Sequence, residues 1–177
     1  MSVGRADDTN YAYDMTVLWY RVNPPTGTQS LAWDWSGTNA PSDNSLIFYS
    51  FYNGVDTSNP IRSSGGQATA TSSASAGTLT STSGDYAVGV SYGWANTLPT
   101  NITWTGPTEL FDITTSGSLG TNRESYAHSA TTGNMTVSTS QNGSGTPYST
   151  ISAIILRQST ETPSTAPFNP RRVIIAL

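Results

Sequence analysis

Apolar and polar residues alternate with a period of two along most of this chain, and its apolar runs are short. Met15, Val17 and Trp19 alternate with Thr16, Leu18 and Tyr20, which predicts a strand from Met15 with both faces partly apolar. Asn23-Pro24-Pro25-Thr26-Gly27 ends it, because two prolines cannot continue a ladder. Leu31, Trp33 and Trp35 then share one face of a second strand, with Ala32 and Asp34 on the other. The nearly continuous apolar and aromatic run Ser45 to Tyr52 is too short for a typical helix and predicts a central strand buried on both faces. Residues 63–84 are low-complexity Ser, Gly, Ala and Thr, with one weak strand near Thr78–Thr82.

The clearest alternation sets Tyr86, Val88, Val90 and Tyr92 against Ala87, Gly89, Ser91 and Gly93. A glycine-rich face predicts close approach of another backbone, or an aromatic ring lying across it. Further strands are predicted over Asn101–Thr105, Thr108–Ile113, Arg123–Ser129, Met135–Thr139 and Ile151–Leu156. No window carries a sustained helical stripe, and turn signals recur at short intervals. The pattern predicts an all-β fold: one antiparallel β-sandwich of jelly-roll or Ig-like type over residues 14–157, after a polar lead-in at 1–13. Residues 158–177 form a C-terminal arm. Pro163, Pro167 and Pro170 make its first part an extended linker, and it ends in Arg171-Arg172-Val173-Ile174-Ile175-Ala176-Leu177. A β-prone terminal segment of this kind must pair, either by closing its own sheet or by adding a strand to a neighbouring subunit.

Composition changes the picture in three ways. Ser and Thr supply 54 of 177 residues (26 and 28), while charged residues are only 10%. The 10% of aromatic residues argues against disorder, so a folded β protein with a hydroxyl-covered surface is expected. All seven basic residues are Arg and the net charge is −4, which excludes a basic face for nucleic acid. No apolar run reaches the ~18 residues that span a bilayer, and Met1 to Asp8 has no apolar core of a signal peptide. The expected location is therefore the cytoplasm in which the chain is made, unless something carries it out. The chain has no cysteine, which removes disulfides, thiolate metal sites and thiol nucleophiles.

Candidate chemistry is sparse. Gly89-Val90-Ser91-Tyr92-Gly93 matches G-x-S-x-G, and Asp112 and His128 follow in hydrolase order. The motif works on a strand–turn–helix elbow, whereas Ser91 lies within an alternating strand, where Gly89 and Gly93 read as packing glycines. One His without Cys cannot build a transition-metal site without several carboxylates. Asp7, Asp8 and Asp14 suit a hard cation or a solvated lead-in, and lack the spacing of an EF-hand. Glu109, Asp112 and Glu124 offer carboxylates for a glycosidase pair, which spacing along the chain cannot test. The sequons at Asn101, Asn134 and Asn142 are what so Ser/Thr-rich a chain gives by chance. Trp33, Trp35, Trp94 and Trp104, with Tyr92, are the candidates for sugar stacking, with burial expected for Trp33 and Trp35. The sequence therefore predicts no catalytic residue, no cofactor and no metal.

The stretches VLWYRVNPPTGTQSLAWDWSG (17–37), FYNGVDTSNPI (51–61), SGDYAVGVSY (83–92), GPTELFD (106–112), SYAHSATTGNMTVS (125–138) and SAIILR (152–157) carry a resemblance. Over residues 15–157 the chain resembles β-sandwich domains of tailed-phage virion proteins and bacterial surface proteins. Such domains usually have one or two strands before the segment matching VLWYRVNPP, so an edge strand is expected to be missing here, leaving a gap for the terminal segment. The resemblance implies a non-enzymatic virion protein, a capsid decoration or tail accessory protein. Its partners would be copies of itself and other virion proteins such as the major capsid protein. Arg171, Arg172, Val173, Ile174, Ile175 and Leu177 are the expected contact residues. The alternative is a carbohydrate-binding module using Trp94, Trp104 and Tyr92.

Overall fold

The computed structural model of the chain describes residues 2–7, 15–23, 48–117, 120–160 and 172–176. Every regular element among them is a strand: β1 Ser2–Asp7, β2 Met15–Val22, β3 Tyr49–Asn53, β4 Ile61–Thr69, β5 Ser73–Leu79, β6 Tyr86–Trp94, β7 Ile102–Thr105, β8 Glu109–Gly117, β9 Gly120–Ala130, β10 Met135–Gln141, β11 Tyr148–Leu156 and β12 Arg172–Ala176. They form a four-stranded sheet (β1-β2-β12-β3), a five-stranded sheet (β4-β11-β6-β9-β8) and a three-stranded sheet (β5-β10-β7). All pairings are antiparallel.

The five-stranded sheet lies between the other two. Against the four-stranded sheet it packs Val88, Val90, Tyr126, Ile154 and Leu156, which meet Leu18 and Tyr52, as the expected sandwich requires. Its opposite face packs Ala87, Ile151, Ala153 and Ile155 on Ala74, Leu79 and Val137 of the three-stranded sheet. This double cover explains β11, which is buried at all nine positions. A strand covered on both faces needs no polar alternation, and each fully buried Ile or Leu contributes roughly 2 kcal/mol.

Hydroxyls fill the interior as well as the surface, which refines the expectation of a hydroxyl-covered exterior. Ser152 Oγ donates to the Thr16 carbonyl at 2.8 Å across one layer junction. Ser91 Oγ donates to the Thr150 carbonyl at 2.9 Å and lies 3.0 Å from Thr139 Oγ1 across the other. A small hydroxyl sits in a core at little cost when it has such a partner.

The glycine face of β6 behaves as its pattern predicts. A Cβ on Gly89 would stand 2.7 Å from Cζ3 of Trp104, so the indole lies across this position. Gly93 faces the side chain of Gln141.

Other expectations are corrected. The lead-in contains β1, which pairs with β2 from Ser2↔Trp19 to Asp7↔Met15, so the edge strand thought missing is present. The low-complexity stretch holds two strands, β4 and β5, rather than one weak one. Small residues permit this: Gly65 packs against the backbone of Ala76, a contact that any side chain would fill. β3 is an edge strand with Tyr52 buried and Phe51 52% exposed, not a central strand buried on both faces. The physical reason is that its sheet is covered on one side only by the elements described. The expected strand at 31–35 lies outside the described residues.

Candidate functional site

The residues of the hydrolase motif are held apart by the pleat. β6 and β9 pair Val88 with His128 and Ser91 with Ser125, so Ser91 and His128 occupy opposite faces of the middle sheet. Ser91 is 3% exposed and spends its hydroxyl on the layer junction. Asp112 is ion-paired with Arg123 and accepts the backbone N–H of Ile102 at 3.1 Å. These three side chains form no catalytic relay.

His128 instead joins a cluster between sheets. Tyr52 Oη lies 2.5 Å from Tyr126 Oη and 3.0 Å from His128 Nδ1. Tyr126 donates to Ser50 Oγ at 2.8 Å. The Tyr86 ring stands edge-on to the imidazole at 5.2 Å. Burial pushes both phenols up, Tyr52 further because Tyr126 lies beside it, and pushes the imidazole down from 6.5. The cluster therefore stays uncharged at neutral pH and ties β3 to β9.

Of the three candidate acids, Asp112 and Glu124 are held apart. Glu124 pairs across with Ile113 of β8, while Asp112 pairs with Ser125, which puts Asp112 and Glu124 on opposite faces. Burial pushes the Glu124 carboxyl up from 4.5 to about 7, against the pull of one hydrogen bond donated by Thr115 at 3.1 Å. Glu109 is raised by burial and then by the charge of Asp112, with Arg123 opposing. Asp112 and Glu124 therefore do not flank one substrate position in the manner of a glycosidase pair. Among the described residues no three His, Asp or Glu side chains cluster for a metal ion. Asp7 lies on β1, and Asp8 and Asp14 fall outside the described residues.

The aromatic candidates divide. Trp104 is a packing residue: its ring covers Gly89, and its Nε1–H donates to Ser125 Oγ at 2.7 Å. It lies across the sheet from Tyr92 and Trp94, so Trp94 and Trp104 form no platform, which corrects that expectation. Tyr92 and Trp94 sit two residues apart on one face of β6, each half-buried. Trp33 and Trp35 are outside the described residues.

The end of the terminal arm is described as β12. β12 lies between β2 and β3 of its own chain, pairing Val173 with Val22 and Tyr52, Ile174 with Arg21 and Phe51, and Ile175 with Tyr20 and Ser50. Here the segment closes its own sheet, the first of the two expected placements. Arg171 and Leu177 lie outside the described residues.

The residues that sequence reasoning missed are those fastening the start of this arm. Asp85 is buried and ion-paired with Arg62, and it accepts hydrogen bonds from the Thr82 N–H at 2.9 Å, the Thr82 hydroxyl at 3.1 Å and the Gln158 N–H at 2.9 Å. Burial alone would raise its carboxyl, but these donors outweigh it and hold it below 3.8. The Ser159 N–H donates to the Gly54 carbonyl at 2.7 Å and the Asp56 N–H to the Arg157 carbonyl at 3.0 Å. The one sequence signal was the Ser83-Gly84-Asp85 turn before β6.

No protein-family model, curated protein or solved structure matches the chain.

Proposed function

We propose that this chain is a non-enzymatic structural subunit of a virion, a capsid decoration or tail accessory protein whose copies interlock by exchanging the terminal strand. The observation that carries the reading is the position of β12, inserted between β2 and β3 rather than added at an edge. The chain's last strand thus completes a sheet whose other strands come from its beginning. Thirteen residues, Ser159 to Arg171, separate β12 from the anchored Gln158, and three are proline. At about 3.1 Å per residue they would span up to about 40 Å if extended. Exchange keeps every ladder pairing and changes only which copy donates it, the low-cost route to interdependent subunits. The choice of a virion rests on the resemblance of residues 15–157, and capsid and tail proteins would be the further partners.

Light scattering on the full chain and on a chain ending at Gln158 tests this. The full chain is expected to form larger assemblies than the shortened one. Equal association and equal stability of the two chains would remove the arm from assembly.

A second reading, a carbohydrate-binding module, is favoured by the shared face of Tyr92 and Trp94 alone. Trp94→Ala would abolish glycan retention on an affinity column if it holds.

A further inference from the structure

We infer that β8 is the edge through which two copies of this chain pair, antiparallel and about a twofold axis at Ile113. β8 ends the five-stranded sheet, and its outer edge has no partner strand among the described residues. Leu110, Phe111 and Ile113 are 49%, 42% and 39% exposed. Open apolar edges are templates for strand addition, and proteins usually blunt them.

The other described edges are blunted. β1 carries a register shift between Val3 and Arg5, and β5 pairs with β10 across another between Val137 and Ser138. β7 has four residues, and β3 has five, followed by Gly54 with φ +72°. β4 is Ser- and Gly-rich and packs on β5 at Gly65. β8 has nine residues, and its single irregularity, between Glu109 and Phe111, leaves it regular to Gly117.

The sequence of β8 is self-complementary in one register. With Ile113 opposite its own copy, Phe111 faces Thr115, Asp112 faces Thr114 and Glu109 faces Gly117. No acid then meets an acid, whereas a twofold at Asp112 would oppose two carboxylates. Arg123 already bridges this edge, ion-paired with Asp112 and donating to Thr114 Oγ1 at 2.7 Å, so the two positions that meet are electrically balanced. The occupant that fits this match is a second copy, giving a continuous ten-stranded sheet across the pair. The inference does not rest on exchange of β12.

Sedimentation of the full chain and of Ile113→Lys over a range of concentrations is the test. Two lysines meeting on the axis weaken association about tenfold or more, since the twofold counts each change twice. A wild-type dimer, with an Ile113→Lys chain that melts cooperatively as a monomer, is expected. A wild type that stays monomeric overturns the inference, as does a dimer indifferent to Ile113→Lys; if that dimer dissociates when the arm is removed, β12 is the contact. Should Ile113→Lys fail to fold, hydrogen exchange of the wild type decides. Concentration-dependent protection of β8 amides, absent from β4, supports the pairing, and its absence overturns it.

Discussion

The backbone N–H of Gln158 donates to Oδ1 of Asp85 at 2.9 Å, joining the last residues of the sandwich to the turn before β6. One buried carboxylate therefore fixes the point from which the arm departs. The same group accepts from Arg62 and Thr82, so its charge is well compensated.

Asp85→Ala removes that compensation and leaves the Arg62 guanidinium, 22% exposed, without its ion partner. A loss of about 3 kcal/mol or more is expected in urea denaturation. Because the folded carboxyl sits below 3.8, its contribution is fully present at neutral pH and is lost as the pH falls through the folded value. Arg62→Leu should weaken the fold less than Asp85→Ala, since it deprives Asp85 of only some of its donors.

Glu124 has the opposite sign. Its folded value near 7 exceeds the reference 4.5, so ionisation opposes folding. Below the lower value the group is neutral in both states and costs nothing; above the higher it is charged in both and the penalty is complete. Glu124→Gln is therefore expected to stabilise the protein by on the order of 3 kcal/mol at about pH 8 and by nearly nothing at about pH 4. Thermal melts of both proteins across that range check it.

The single histidine reports on the sheet junction. Burial lowers its pKa below 6.5, so folding disfavours the imidazolium and stability falls as the pH drops through the unfolded value. NMR titration should give a midpoint below 6.5. Tyr52→Phe, which removes the hydroxyl beside Nδ1 and Tyr126, should cost about 1 kcal/mol.

Gly89→Ala places a methyl group 2.7 and 2.8 Å from the Trp104 ring. The indole must move or the sheets must part, at a cost of about 1–3 kcal/mol. Tryptophan fluorescence should shift together with the melting midpoint.

The strands with regular alternation were legible in the sequence, and β6 was legible to the level of an aromatic over its glycine face. β11 was found from Ile151 onward because consecutive apolar residues leave no doubt about burial. β4 was not, since Ile61–Thr69 is mostly Ser, Gly, Ala, Gln and Thr, and its place comes from neighbours: β11 on one side and the Ala76 backbone above Gly65. β1 was hidden because Arg5 and Asp7 read as solvated lead-in, and no local pattern reveals a partner such as β2. The motif at 89–93 misled in form only. Period-two geometry puts Ser91 and His128 on opposite faces, and sequence spacing across two strands does not carry that register. Asp85 was invisible for the same reason, as its donors come from Arg62, Thr82 and Gln158.

The chain has no cysteine, so one disulfide can be introduced without competitors. Val22 and Val173 face each other in the β2–β12 ladder, a separation compatible with a disulfide. The assembled protein carrying Val22→Cys and Val173→Cys, oxidised and run on a denaturing gel without reductant, reads out which copy donates the strand. Interlocked subunits predict covalently linked dimers or higher species that collapse to one chain on reduction. A single-chain band carrying the internal link would contradict exchange of the arm.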